Sequence, residues 1–109
     1  MAEPTLAQVF GTGTTQDADE VVIPKSGLTG VGLIASSTNN AESLFVAFLL
    51  QGSTVLNETS RTASSDVSVV ISEPSESLLT QNAIRYRVTS YTVELYKEEP
   101  ASTTNPMDY

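Results

Sequence analysis

The chain has 109 residues, of which 13 are acidic and 5 are basic, and its formal net charge is −8. It contains neither cysteine nor histidine. These absences exclude disulfides, thiol and Ser-His-Asp catalysis, and metal sites built from cysteine or histidine. A surface this acidic repels phosphate backbones and anionic lipids, so we expect no nucleic-acid partner and no membrane partner.

The first 19 residues are rich in Thr, Gly, Ala and Gln and hold few apolar side chains. This composition predicts an extended N-terminal arm over residues 1–19 that docks through Phe10. The cluster Gly11-Thr12-Gly13 lacks the Lys-Ser/Thr pair of a phosphate-binding loop, so we interpret it as a flexible loop. The N-terminus has neither a basic region nor a long apolar region, so we expect no signal peptide.

An acidic cluster at Asp17, Asp19 and Glu20 offers oxygen ligands to a cation such as calcium. An EF-hand loop that starts at Asp17 needs Gly and Glu at the positions where Val22 and Leu28 stand. The pattern therefore favours a solvated acidic turn, and it assigns no metal site.

Two short strands are predicted before the central helix. Residues 20–24 form an apolar run that ends at Pro24, which cannot donate to a sheet ladder and so favours an edge position. Residues 26–37 contain three glycines among apolar side chains, which we interpret as a turn followed by a strand over residues 31–35.

Residues 39–52 give the strongest signal for a helix in the chain. Asn39 is a candidate N-cap, Glu42 completes a capping box, and Gly52 is a candidate left-handed C-cap. Apolar residues cover nearly every side of residues 44–50, so we expect a helix that is buried on most of its circumference. A buried strand is the alternative, whereas a membrane span needs a run of about 20 apolar residues.

The second half of the chain predicts strands. Residues 53–65 are a polar connection, and residues 66–72 alternate as a half-buried strand. Residues 73–76 are predicted to be a turn. The longest strand signal covers residues 83–97, and its apolar side chains change parity near Thr89 and Ser90. We favour a β-bulge at that point, with a tight hairpin as the alternative.

The remaining residues, 98–109, are rich in Pro, Ser and Thr and predict a second extended arm. The predicted organisation is a single compact domain over residues 20–97 between two arms. Its fold class is α+β, with a small and mainly antiparallel sheet that packs on one buried helix at about residues 40–51.

Carboxylate pairs are the candidate catalytic groups that remain. They are Glu73 with Glu76, and Glu94 with Glu98 or Glu99. Glycoside hydrolysis needs two carboxylates across a cleft, for which a domain of this size has little room. We therefore interpret them as outward-facing charges, and we expect no catalytic residue and no cofactor.

Arg85 and Arg87 alternate with apolar residues in the last strand and are two of the five basic residues. They predict either a solvent face or a basic stripe that meets an acidic neighbour. The tyrosines all lie in the last 24 residues, where an aromatic side chain can anchor an interface. The candidate interface residues are Phe10, Arg85, Arg87, Tyr91, Tyr96 and Tyr109.

Three segments resemble a known group of proteins. They are AEPTLAQVFGTGTTQDADEVVIPKSGL, AESLFVAFLL and RYRVTSYTVELYKEEPASTTNPMDY. Together they resemble small proteins of about this length that are encoded among the structural genes of tailed bacteriophages and related prophages, particularly those of cyanobacteria. The group provides no catalytic residue that can be transferred to this chain.

The resemblance implies a non-catalytic virion component, either in the tail and baseplate or as a decoration protein on the capsid. Such a protein is made in the host cytoplasm and assembles with itself and with other virion structural proteins. A compact acidic domain with two polar arms agrees with this role. Two alternatives stay open: a small soluble adaptor or binding module unrelated to virions, and a small carboxylate-dependent hydrolase.

Overall fold

A computed structural model describes residues 3–98 and 105–109, and it confirms the α+β class. The helices are α1 (Leu6–Phe10), α2 (Ala41–Ser53) and α3 (Glu58–Ala63), with 3-10 helices at Lys25–Val31 and Pro106–Asp108. The strands are β1 (Thr15–Gln16), β2 (Val21–Val22), β3 (Val69–Ile71), β4 (Ser75–Gln81), β5 (Ile84–Ser90) and β6 (Val93–Leu95). They form three antiparallel pairs, β1 with β2, β3 with β6, and β4 with β5.

The predicted central helix is confirmed as α2, but its first cap differs from the prediction. The N-cap is Asn40, and its side chain makes no capping hydrogen bond. The Asn39 side chain instead accepts from the Ser36 N–H at 3.0 Å and donates to the Ile34 carbonyl at 2.9 Å. Asn39 therefore closes the loop that precedes α2, because its side chain is fully used there.

The predicted C-cap at Gly52 is wrong. Gly52 is a buried residue inside α2, and the helix ends at Ser53 with Thr54 in a right-handed conformation. A Cβ atom at Gly52 would lie 3.5 Å from Cδ1 of Ile71. This is an ordinary van der Waals distance, so the site has room for a methyl group.

The helix is less buried than its composition predicts. Ala47 is buried, but Phe45 is 68% exposed and Val46 is half exposed. The elements that pack on α2 are α1, the 3-10 helix at Lys25–Val31, and β3. These elements are too short to enclose a helix of 13 residues, so one side of α2 stays open.

The predicted N-terminal arm is not extended. Thr5 and Gln8 form a capping box that starts α1, and the Gln51 side chain on α2 donates to the Gln8 carbonyl at 3.0 Å. Phe10 ends this helix and is half-buried. Residues 3–19 are therefore part of the domain, because α1 packs on α2.

The strand predicted at residues 31–35 is also wrong. The chain forms the 3-10 helix Lys25–Val31 and then an irregular loop, in which Gly32 has a φ of 103°. The positive φ at Gly32 breaks an extended conformation. The Lys25 ammonium donates to the Ser36 carbonyl at 2.7 Å and closes this loop.

The short helix α3 lies within residues 53–65, for which the sequence predicts a polar connection. Asn57 is its N-cap, and its side chain accepts from the Ser60 N–H at 2.8 Å. The same side chain donates to the Ser53 carbonyl at 3.0 Å. Asn57 thus joins the end of α2 to the start of α3.

The guanidinium of Arg61 holds α3 against the β3–β6 pair. Its Nη1 donates to the Ser65 carbonyl at 3.0 Å and to the Val67 carbonyl at 2.7 Å. The guanidinium carbon also lies 4.2 Å from the ring centroid of Tyr96. A planar donor group that bonds two carbonyls and stacks on an aromatic ring cannot be replaced by lysine without loss.

We expect Arg61→Ala to lower the free energy of unfolding by about 2 kcal/mol, because two carbonyls lose a charged donor and Tyr96 loses its cation contact. Urea unfolding followed by circular dichroism measures the change. Arg85→Ala is the matched control, since an exposed arginine away from such contacts changes stability by about 0.5 kcal/mol or less. Equal stabilities for the two variants would contradict this role for Arg61.

The last predicted strand is two strands in two different pairs. β5 pairs with β4 through Ser75↔Ser90, and β6 pairs with β3 through Ile71↔Val93. Between these pairs, three residues (72–74) face two (91–92). The extra residue therefore lies at residues 72–74, in the strand that contains Pro74, and the bulge predicted at residues 89–90 is wrong. Pro74 favours this position because it has no N–H for the ladder.

The apolar core lies between α2, the 3-10 helix at Lys25–Val31 and β3. Its buried apolar residues, among those that the structure describes, are Leu28, Ala47, Val67, Val70 and Ile71. This is a small core for 109 residues, and the β4–β5 hairpin lies outside it.

Candidate interaction surface

The β4–β5 hairpin, residues 75–90, is the most prominent surface feature of the molecule. Its last pair is Gln81↔Ile84, so its turn contains only Asn82 and Ala83. Both turn residues have positive φ, 52° and 63° respectively. A two-residue turn with two positive φ angles is a type I′ turn, whose twist matches that of the flanking strands and fixes their register.

One face of this hairpin is apolar. Cross-strand partners share a face and alternate residues lie on opposite faces, so the pairs Ser77↔Val88, Leu79↔Tyr86 and Gln81↔Ile84 lie on one side. Leu79 is 53% exposed, and Ile84 and Tyr86 are exposed to a similar degree. We call Leu79, Ile84, Tyr86 and Val88 the apolar face. Leu79 and Ile84 lie more than half in solvent, and Tyr86 is 45% exposed.

The opposite face of the hairpin carries two arginines together with Glu76 and Leu78, which is 64% exposed. Arg87 pairs with Leu78, and Arg85 pairs with Thr80. Residues 75–90 contain two arginines and Glu76 as the one acid, which gives 2 − 1 = +1. The rest of the chain has three basic and 12 acidic residues, which gives 3 − 12 = −9. The hairpin is thus a basic extension of a strongly acidic domain.

The candidate interface residues lie in several places. Arg85 and Arg87 are on the hairpin, and Tyr91 is half-buried at its base. Tyr96 stacks under Arg61 inside the domain. Phe10 belongs to α1, and Tyr109 is half-buried after the last 3-10 helix. The hairpin brings the two arginines together with Tyr86, whereas the other aromatic residues lie elsewhere.

A second surface feature is a groove along α2, which we call the α2 groove. It has a volume of about 490 Å³ and opens between the helix and the loop at residues 31–34. Its lining residues are Val31, Gly32, Leu33, Ile34, Asn39, Glu42, Ser43, Val46, Ala47 and Leu50. Most of these side chains are apolar, and Glu42 is the charged one. The groove runs along the face of α2 that carries Ser43, Val46 and Leu50, and it includes the buried Ala47.

The candidate carboxylates lie on different parts of the surface. Glu73 borders a hollow of about 470 Å³ with Asn57, Glu58 and Tyr91. Glu76 is in β4 and Glu94 is in β6, and both are exposed. Glu98 is exposed too, and Glu99 lies outside the described residues. Glu73 and Glu76 therefore do not line the same hollow.

The predicted acidic turn joins β1 to β2. The Asp17 Oδ1 accepts from the Asp19 N–H at 2.8 Å and from the Glu20 N–H at 3.0 Å. This carboxylate is used to form the turn. Within residues 3–98 and 105–109, there is no group of three or more acidic side chains placed to hold a metal ion.

In the part of the chain that the structure describes, no helix has the length and apolar character needed to cross a membrane. Comparisons with protein-family models, with curated proteins and with solved structures gave no match to this chain.

Sequence reasoning missed one of the four residues of the apolar face. It predicts a shared face for Ile84, Tyr86 and Val88, and the register confirms that these three residues lie on one side. It assigns Leu79 to no element, because the sequence predicts a turn at residues 73–76 and its next predicted strand begins at residue 83. The signal that could have placed Leu79 is the Asn at position 82, which tolerates a positive φ and often starts a type I′ turn.

Proposed function

We propose that this chain is a non-catalytic structural protein of a tailed-phage particle, which assembles with itself and with neighbouring virion proteins through the β4–β5 hairpin. The observation that supports the proposal best is the exposed apolar face of the hairpin. Soluble monomers rarely expose contiguous apolar patches of this kind, and such patches mark sites of protein contact. The resemblance to phage structural proteins, given above, supplies the type of particle.

The dimensions of the chain support an assembled state. Its accessible surface is 7983 Å², whereas a compact monomer of this mass exposes about 5,800 Å². Its radius of gyration is 16.3 Å, against about 13 Å for a compact domain of this length. A protein that exposes this much surface around a small core gains stability when neighbours cover that surface.

The hairpin alone gives a reason for a partner. An isolated two-stranded hairpin is marginally stable in water at best, and it needs a third strand or a packed face to be stable. β4 and β5 pair with each other and pack little on the rest of the domain. A neighbouring subunit that covers the apolar face would supply the missing packing.

The double variant Leu79→Glu/Tyr86→Glu tests this function. We expect it to fold but to be absent from purified particles, because two carboxylates on the apolar face would be buried unpaired at the contact. The measurement is the amount of this protein in gradient-purified particles, relative to the major capsid protein. Circular dichroism of the isolated variant checks its fold.

The matched control places the same two charges on the other face of the same strands, as Thr80→Glu/Thr89→Glu. Both threonines are exposed and lie away from the apolar face. We expect the control to enter particles far better than the Leu79→Glu/Tyr86→Glu variant, because the two variants change the net charge equally and differ in which face carries the carboxylates. If the Leu79→Glu/Tyr86→Glu variant enters particles at the wild-type level, the hairpin is not the assembly surface.

A further inference from the structure

We infer that the partner of the hairpin is a second copy of this chain, and that the apolar face of one copy docks in the α2 groove of the next. This inference rests on the proposed function and names the partner surface. It joins two open apolar surfaces, one on a hairpin and one in a concave groove.

The shapes of the two surfaces are complementary. The apolar face is a narrow ridge of side chains on a two-stranded hairpin, whose strands have seven residues each. The α2 groove is an open channel between a helix and a loop, and its volume of about 490 Å³ is in the range of sites that enclose a ligand. Within one copy, the strands of the hairpin pack mainly on each other and α2 packs on other elements.

The chemistry of the two surfaces also matches. Leu33, Val46 and Leu50 lie on the two walls of the groove. Ile34 at its edge is 84% exposed, which is unusual for an isoleucine. Contact with Leu79 and Tyr86 of another copy would remove apolar surface from water on both sides.

Charge indicates which part of one copy can approach another, since each whole copy has a net charge of −8. The hairpin has a net charge of +1 and the rest of the chain has −9, as counted above. The charged residue in the groove is Glu42, which is acidic. A basic hairpin is attracted to the acidic body of another copy, whereas two bodies repel each other. Self-association through the hairpin and the groove is therefore favoured over contact between two bodies.

The contact joins two different surfaces, so it is a head-to-tail contact. Each copy presents one hairpin and one groove, and each can bind a neighbour on both sides. A pair of variants can test the hairpin and the groove separately. Leu79→Glu disables the hairpin and leaves the groove, and Val46→Glu disables the groove by adding a carboxylate one helical turn from Glu42.

The test is sedimentation velocity of the full chain, for each variant alone and for an equimolar mixture. We expect the wild type to form oligomers and each variant alone to be a monomer. We expect the mixture to form a dimer that does not grow further, because one intact hairpin meets one intact groove.

Two further variants complete the design. Phe45→Glu is the matched control, since Phe45 is an exposed apolar residue of α2 that does not line the groove. We expect it to self-associate as the wild type does. Ile34→Glu is a second groove variant at a site that is mostly in solvent, so it keeps the test valid if Val46→Glu fails to fold.

Three results would overturn the inference: a wild-type chain that stays monomeric at its highest soluble concentration, groove variants that oligomerise normally, or a mixture that contains only monomers. Particle incorporation separates this failure from failure of the proposed function. If Val46→Glu and Ile34→Glu enter particles normally but Leu79→Glu/Tyr86→Glu does not, the hairpin binds another virion protein and the α2 groove is not its partner.

Discussion

The Leu28→Ala variant is expected to lose about 2 to 5 kcal/mol of the free energy of unfolding, because it leaves a cavity in a core with few other side chains. Leu28 is 1% exposed, and it is one of the five buried apolar residues in the described part of the chain. A domain of this length has roughly 5 to 15 kcal/mol of total stability. The loss is therefore a large fraction of the total, and we expect a decrease in melting temperature on the order of 10 °C.

The control for this prediction is Leu78→Ala, which makes the same chemical change on the hairpin. Leu78 is 64% exposed, so its truncation should change stability by about 0.5 kcal/mol or less. Thermal and urea unfolding of both variants, at a protein concentration where the wild type is monomeric, give the comparison. A Leu28→Ala variant as stable as Leu78→Ala would mean that the core is elsewhere.

The second large effect on stability is expected at Gly27, where the backbone crosses the segment that contains Thr12. A Cβ atom at Gly27 would lie 2.9 Å from the Thr12 nitrogen and closer still to the Thr12 carbonyl oxygen. Backbone atoms cannot rotate away as the end of a side chain can. We expect Gly27→Ala to cost about 1 to 3 kcal/mol, which is the range for overpacking a closely packed site.

Gly30→Ala provides the matched control for this crossing, because both glycines lie in the 3-10 helix Lys25–Val31. A Cβ atom at Gly30 would meet nothing within 4 Å. We expect this change to be neutral, or to stabilise by up to about 1 kcal/mol through the unfolded chain. Urea unfolding of the two alanine variants gives their midpoints. Equal midpoints would show that the segments at Gly27 and Thr12 do not cross closely.

The fold class and the central helix are predictable from the sequence because their signals are local. Glu42 and the apolar run that follows it favour a helix, and no proline interrupts residues 41–53. The burial of that helix is not predictable in the same way. An apolar run indicates that a surface will be covered, but it does not say whether the same chain or another chain covers it.

The elements that sequence reasoning missed have weak or unusual local signals. The hairpin turn has Ala83 at a position with positive φ, where Gly is the usual residue. Three of the six residues of the helix α3 are Ser or Thr, which have modest helix propensity, and its N-cap at Asn57 is the clearest local signal for it. In both cases the tertiary structure decides the conformation.

The candidate surface was partly predictable. The alternation at residues 84–88 places Arg85 and Arg87 on one face and Tyr86 on the other, as a period of two requires. The α2 groove could not be predicted, because one wall is a loop at residues 31–34 that the sequence suggests is a strand. Glycine-rich segments leave the backbone too many choices for a local prediction.

The extra residue at residues 72–74 sets the direction in which the hairpin leaves the domain, since a bulge bends a strand and increases its twist. In a head-to-tail assembly, this direction fixes the rotation from each subunit to the next. A rotation that divides a full turn evenly closes a ring, and any other rotation with a rise produces a helical filament. The symmetry of the whole particle component would then be determined by the bend next to Pro74, far from both contact surfaces.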